Sequence, residues 1–195
     1  MPLEPSGLSL SFRVRQKPML LRLFSAVRDH WSVSCESEER PVRRFPQTWS
    51  LCSFHIGSDC PLLTATEEFT FLTVLLPQAC THSFGEALAA FEDRVLDLLY
   101  NARFHEGLRF SGFAIAKLTD ERIASHAAHL IADIQSIPGL FEALGSPQGV
   151  RSIEKNINSR PLDFLSGRSP RQAFLDASMG EPLRRANRRQ PPRPF

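Results

Sequence analysis

TWSLCSFHIGSDCPLLTATEEFTFLTVLL, residues 48–76, is the stretch whose reading decides the fold. TWSLCSFHI (48–56) alternates apolar and polar residues, the period of a half-buried strand. GSDCP (57–61) carries turn residues, and LLTAT (62–66) and FTFLTVLL (69–76) resume the alternation. In the last segment Phe69, Phe71 and Thr73 share one face, and Thr70, Leu72 and Val74 the other. Apolar groups on both faces predict a central strand covered on both sides.

Working outward, LSLSFRVR (8–15) alternates as a further strand. Pro18 is expected to open a helix through MLLRLFSAVRDHW, with Leu20, Leu23, Phe24 and Val27 at helical spacing. Residues 34–47 are polar and proline-broken, which predicts a mobile surface loop. On the other side, Ser83 and Glu86 form a capping box in which each side chain reaches the other's backbone N–H. Phe84, Leu88, Phe91, Val95 and Leu98 follow as an apolar stripe running to about residue 101. LRFSGFAIAKL (108–118) reads as a strand. Thr119 or Asp120 can cap a helix to about Ile137, with Ile123, Ala127, Leu130 and Ile134 buried. Short helices are expected over 139–145 and about 147–157. The order β-α-β-β-β-α-β-α, then small helices, implies an α/β (or α+β) fold with a mixed sheet of about 4–5 strands. The helix between strands 69–76 and 108–118 permits a right-handed parallel crossover. A single domain over 8–178 is expected, between a flexible segment 1–7 and a disordered Arg/Pro-rich tail 179–195.

Charge is unevenly spread. Residues 1–48 carry a net +3, residues 49–183 a net −6, and residues 184–195 five arginines and no acid, +5. An acidic body with basic ends argues against one broad nucleic-acid-binding face and places any such contact at the extremities. The candidates there are Arg184, Arg185, Arg188, Arg189 and Arg193, and the adjoining PPRP resembles a polyproline II ligand. The basic residues are 20 Arg and three Lys. Such a skew follows from a GC-rich genome or an overprinted reading frame, and favours a viral or mobile-element source. The start of the chain lacks a basic segment followed by an apolar one, and no run approaches the ~18 residues of a membrane helix. A cytoplasmic or nuclear location without membrane partners is therefore expected.

Cys52, His55, Cys60, Cys80 and His82 are zinc-type ligands, yet none of the four cysteines forms a CxxC pair, and Cys52 and His55 fall on opposite faces of a regular strand. Buried thiols and surface histidines are the plainer expectation. His126, His129 and Asp133 lie on one side of a predicted helix as a candidate acid–base or metal cluster, or as residues of a solvated boundary. Neither a glycine-rich phosphate loop nor a G-x-S-x-G elbow is present.

NSRPLDFLSGRSPRQAF (158–174) admits a purely local reading: Pro161 starts a helical turn, Gly167 ends it, and Ser169 caps a second helix opened by Pro170. The same stretch resembles the closing segment of integrase-core transposases of insertion sequences, through N-x-R-P, Leu165, the basic residue before Ser169-Pro170, and Phe174. The resemblance implies an RNase-H-like fold with three carboxylates around paired Mg²⁺ ions. Asp120 and Glu154 would stand for two of them. The strand expected to carry the remaining one has Cys52 and no acid, and Asp59 lies in the turn beyond. Glu154 also falls only four residues before Asn158, where the family has a much longer spacer. The resemblance therefore implies a descendant that has lost catalysis.

The leading functional expectation is a non-enzymatic accessory protein needing no cofactor. Its body would meet a protein partner, and its arginine-rich ends RNA, DNA or an acidic surface; one such role is antagonism of host defence, for instance of RNA silencing. The alternatives are a degenerate integrase-type polynucleotidyl transferase using Asp120, Glu154 and Mg, and a zinc-stabilised binding module.

Overall fold

The computed structural model describes residues 19–35, 45–56, 60–77, 83–101 and 112–179. The predicted strand 8–15 and most of the predicted loop 34–47 lie outside them, as does the tail from residue 180. The elements are β1 (Met19–Leu23), α1 (Ser25–Trp31), β2 (Thr48–Ile56), β3 (Cys60–Glu67), β4 (Thr73–Leu76), α2 (Phe84–Asn101), β5 (Phe113–Lys117), α3 (Glu121–Gln135), α4 (Leu140–Leu144), α5 (Pro147–Ser159), a 3-10 turn (Asp163–Leu165) and α6 (Pro170–Ser178). The fold is α/β, with a mixed five-stranded sheet in the order β4-β3-β2-β1-β5. β1 runs parallel to both β2 and β5, while β2, β3 and β4 form an antiparallel meander. Among the described residues no helix is long and apolar enough to cross a membrane.

The meander read from residues 48–76 is present, with Trp49 opposite Glu67 and Ile56 opposite Cys60. Two expectations fail beside it. Residues 19–23 are not the opening of a helix but the strand β1, flanked on both sides and buried along its whole length. A parallel strand buried on both faces reads as a short apolar run, which periodicity cannot separate from helix. The helix does form, but only from Ser25. The predicted strand 69–76 is also shorter, Thr73–Leu76, and lies at the edge of the sheet rather than its centre.

Glu67 takes residues 69–70 out of the strand. Its Oε2 accepts from the N–H groups of Phe69 (3.0 Å) and Thr70 (2.8 Å) and from the Thr70 hydroxyl (2.7 Å). Phe71 follows in the left-handed region at φ 61°. β4 is nonetheless buried on both faces, as its apolar pattern required. Val74 and Leu76 join β1, β2 and β3 side chains against Ala87, Phe91 and Val95 of α2. Leu75 and Leu62 face the other way, against Leu130 and Ile134 of α3 and Val150, Ile153 and Ile157 of α5.

The helix ends behave as the sequence chemistry requires. Ser83 N–H donates to Glu86 Oε2 (3.0 Å) and Glu86 N–H to Ser83 Oγ (3.3 Å), closing the capping box of α2. Asp120 accepts from the N–H groups of Arg122 (2.8 Å) and Ile123 (3.3 Å) at the start of α3. The α3 residues Ile123, Ala127, Leu130 and Ile134 are the buried ones, as expected.

Candidate functional site: an arginine-lined groove beside the sealed sheet edge

An edge strand exposes unpaired backbone groups that invite pairing with another chain. α5 closes that edge with two polar side chains one helical turn apart. Leu75 N–H donates to Glu154 Oε1 (2.8 Å), and the Asn158 side chain both accepts from Thr73 N–H (2.8 Å) and donates to Thr73 C=O (2.7 Å). Burying the Glu154 carboxylate requires a counter-charge. Arg94 of α2 supplies it, pairing through Nη2 with Glu154 and through Nη1 with Asp97 (3.0 Å).

Beyond this cluster α2, α5 and α6 part to leave a groove of about 530 Å³. Leu72, Leu98 and Phe174 contribute its apolar lining, and Arg94, Arg151 and Arg171 its positive charge, with Asp97 the acid among the lining residues. A second cavity of about 380 Å³ adjoins it, sharing Arg94, Asp97 and Arg151 and reaching Asp93 and the start of α5. Arg151 and Arg171 are exposed and form no ion pair among the described residues. Two uncompensated guanidiniums beside a third, on an apolar floor, make an anion-receptive surface. No single segment announces it, because the three arginines come from three helices. The available signal is that Arg171 has no acid three or four positions away on α6.

The residues singled out from sequence are placed as follows. Asp120 is the cap of α3, just after β5, whereas Glu154 is bound to β4, so the two carboxylates belong to opposite edges of the sheet. Cys52 is buried, and burial pushes its thiol up to about 11; His55, three residues on, is exposed. Cys60 lies in β3 opposite Ile56, while Cys80 and His82 are outside the described residues, as are Arg184, Arg185, Arg188, Arg189 and Arg193. Among the described residues no group of three or more His, Cys, Asp or Glu side chains is arranged to hold a metal ion.

His126, His129 and Asp133 are divided between two environments. His126 packs edge-on against Phe71 (centroids 4.9 Å apart), and burial, reinforced by the nearby His129, lowers its pKa to about 4, against a smaller upward pull from Asp133. His129 is exposed and turns Nδ1 towards the Ser125 carbonyl (2.9 Å). Asp133 pairs with Arg160 (2.5 Å).

The stretch 158–174 also has structural employment throughout. Asn158 holds β4, Arg160 holds Asp133, and Leu165 is buried in the 3-10 turn. Gly167 takes φ 75°, and Ser169 accepts from Gln172 N–H (3.2 Å) to cap α6. Arg168, the basic residue before Ser169, pairs with Asp176 (3.1 Å). Compared with protein-family models, with curated proteins and with solved structures, the chain matches none.

Proposed function

We propose that the protein works by binding, as a non-enzymatic accessory protein whose arginine-rich C-terminal segment grips the phosphate backbone of a nucleic acid while the folded body meets a protein partner. The observation that carries this reading is the separation of charge: a net −6 over residues 49–183 against +5 over 184–195. An acidic body repels a polyanion, so attraction concentrates where the arginines are. The employment of three of the body's buried carboxylates adds support: Glu68 pairs with Arg22 (3.0 Å), Glu154 with Arg94, and Asp176 with Arg168. Groups committed to such pairs hold the fold together and are poorly placed to turn over a substrate. The arginine skew suits an accessory protein of a virus or mobile element, acting against host defence.

The test is equilibrium binding of single- and double-stranded RNA and DNA to the full chain and to a chain ending at Pro182. Affinity that drops at least tenfold on truncation, with unchanged circular dichroism, is expected from the loss of five guanidinium contacts. Equal affinity of the two chains would remove the tail from the account.

A further inference from the structure

We infer that the groove between α2, α5 and α6 is a binding subsite for a phosphate group. The inference deepens the binding reading by giving the folded body its own anion contact, and it stands on a different set of residues from the tail.

The charge arrangement comes first. Arg94 is spoken for by Glu154 and Asp97, which fixes its guanidinium at the groove wall. Arg151 and Arg171 line the same groove from neighbouring helices and form no ion pair among the described residues, although Asp97 also lines it. Elsewhere in the described body Arg22, Arg160 and Arg168 each hold a carboxylate, and Arg122 lies over the Phe71 and Phe164 rings. Arg28 likewise forms no ion pair there, so what distinguishes Arg151 and Arg171 is that they share one groove. Asp97 offsets part of the positive charge, and Asp93 lines the adjoining cavity that Arg151 also borders, which leaves three arginines against one acid in the groove itself.

Shape and position add to charge. A groove of about 530 Å³ lies in the range that takes a nucleotide-sized ligand. Leu72, Leu98 and Phe174 add apolar surface beside the guanidiniums. Planar guanidinium forks match the oxygens of a phosphate in pairs. Arg171 stands at the start of α6, and the chain leaves the end of that helix to enter the arginine-rich segment. In sequence, Arg184 follows the end of that helix by six residues.

The experiment uses the full chain, the double variant R151Q/R171Q, the charge-retaining R151K/R171K, and a variant with all five tail arginines changed to glutamine. Each is titrated with inorganic pyrophosphate, with a short single-stranded oligonucleotide bearing a 5′-phosphate, with the same oligonucleotide ending in a 5′-hydroxyl, and with an acidic peptide. Both substituted positions are exposed, and unchanged thermal unfolding checks that the variants fold. The expected result is a preference of about tenfold for the 5′-phosphate, lost in R151Q/R171Q, partly kept in R151K/R171K, and kept in the tail variant. Pyrophosphate binding with the same dependence on the two arginines, but no preference between the oligonucleotides, also supports a phosphate subsite and assigns it to free phosphates. The inference is overturned if neither phosphate probe binds in a way that R151Q/R171Q weakens, or if the acidic peptide alone shows that dependence. Loss of oligonucleotide affinity in the tail variant with the 5′-phosphate preference intact separates the groove from the tail; no loss in that variant overturns the tail reading alone.

Discussion

Glu67 is wholly buried at the turn that ends β3, and its Oε1 has no hydrogen-bond partner among the described residues. Burial outweighs the stabilising contacts from Thr70 and Phe69 and raises its pKa to about 8. The folded state then binds more protons than the unfolded chain between the ordinary value of 4.5 and about 8. The stability this group contributes is full below that window and is lost as pH rises through it. Urea midpoints should fall between pH 6.5 and 8.5 in the wild type and fall less in E67Q; parallel curves for the two proteins would refute the assignment. His126 works with the opposite sign: its contribution is present above 6.5 and is lost as pH falls through about 4. Cys52, with its thiol held neutral, should stay unmodified by a disulfide reagent at pH 8 in the native state and react once the protein is unfolded. Rapid modification of Cys52 in the native protein would contradict its burial.

At the scale of elements, the helices were the most legible part. The Ser83–Glu86 box and the Asp120 cap are local chemistry, and the α3 stripe is a regular period, so each needs only its own segment to be read. β1 was not legible, because its central position depends on β2 and β5, and its one charged residue, Arg22, is satisfied by Glu68 from a distant turn. The sealing of β4 was hidden for the same reason: Glu154 and Asn158 look like surface polar residues until the edge strand is beside them. N158A should cost about 2–3 kcal/mol, since it strips two hydrogen bonds and leaves the Thr73 backbone groups buried without partners. It should also promote self-association through the opened edge, seen in sedimentation. Gly149 marks the close approach of α5 to α4: a Cβ there would stand 2.0 Å from the Ala143 carbonyl oxygen. G149A should therefore lower the free energy of unfolding by about 2 kcal/mol or more, although alanine favours a helix by about 1 kcal/mol. A neutral or stabilising effect would show that α4 and α5 are not packed this tightly.

For the molecule as a whole, the sequence carried the α/β class and the charge separation but not the groove, whose arginines on α2, α5 and α6 meet only once three helices pack at one end of the sheet. What the tail does belongs to this scale, because it turns on the contrast between a net −6 over 49–183 and the five arginines beyond. The most direct measurement is the dependence of single-stranded nucleic-acid affinity on salt, for the wild type and for the variant with Arg184, Arg185, Arg188, Arg189 and Arg193 changed to glutamine. Each lost phosphate contact flattens the slope of log K against log salt by about 0.7, so full engagement of the tail predicts a difference of about 3.5 between the two proteins. Coincident slopes would mean that these arginines hold no phosphate, and the account of the tail as the nucleic-acid grip would fall.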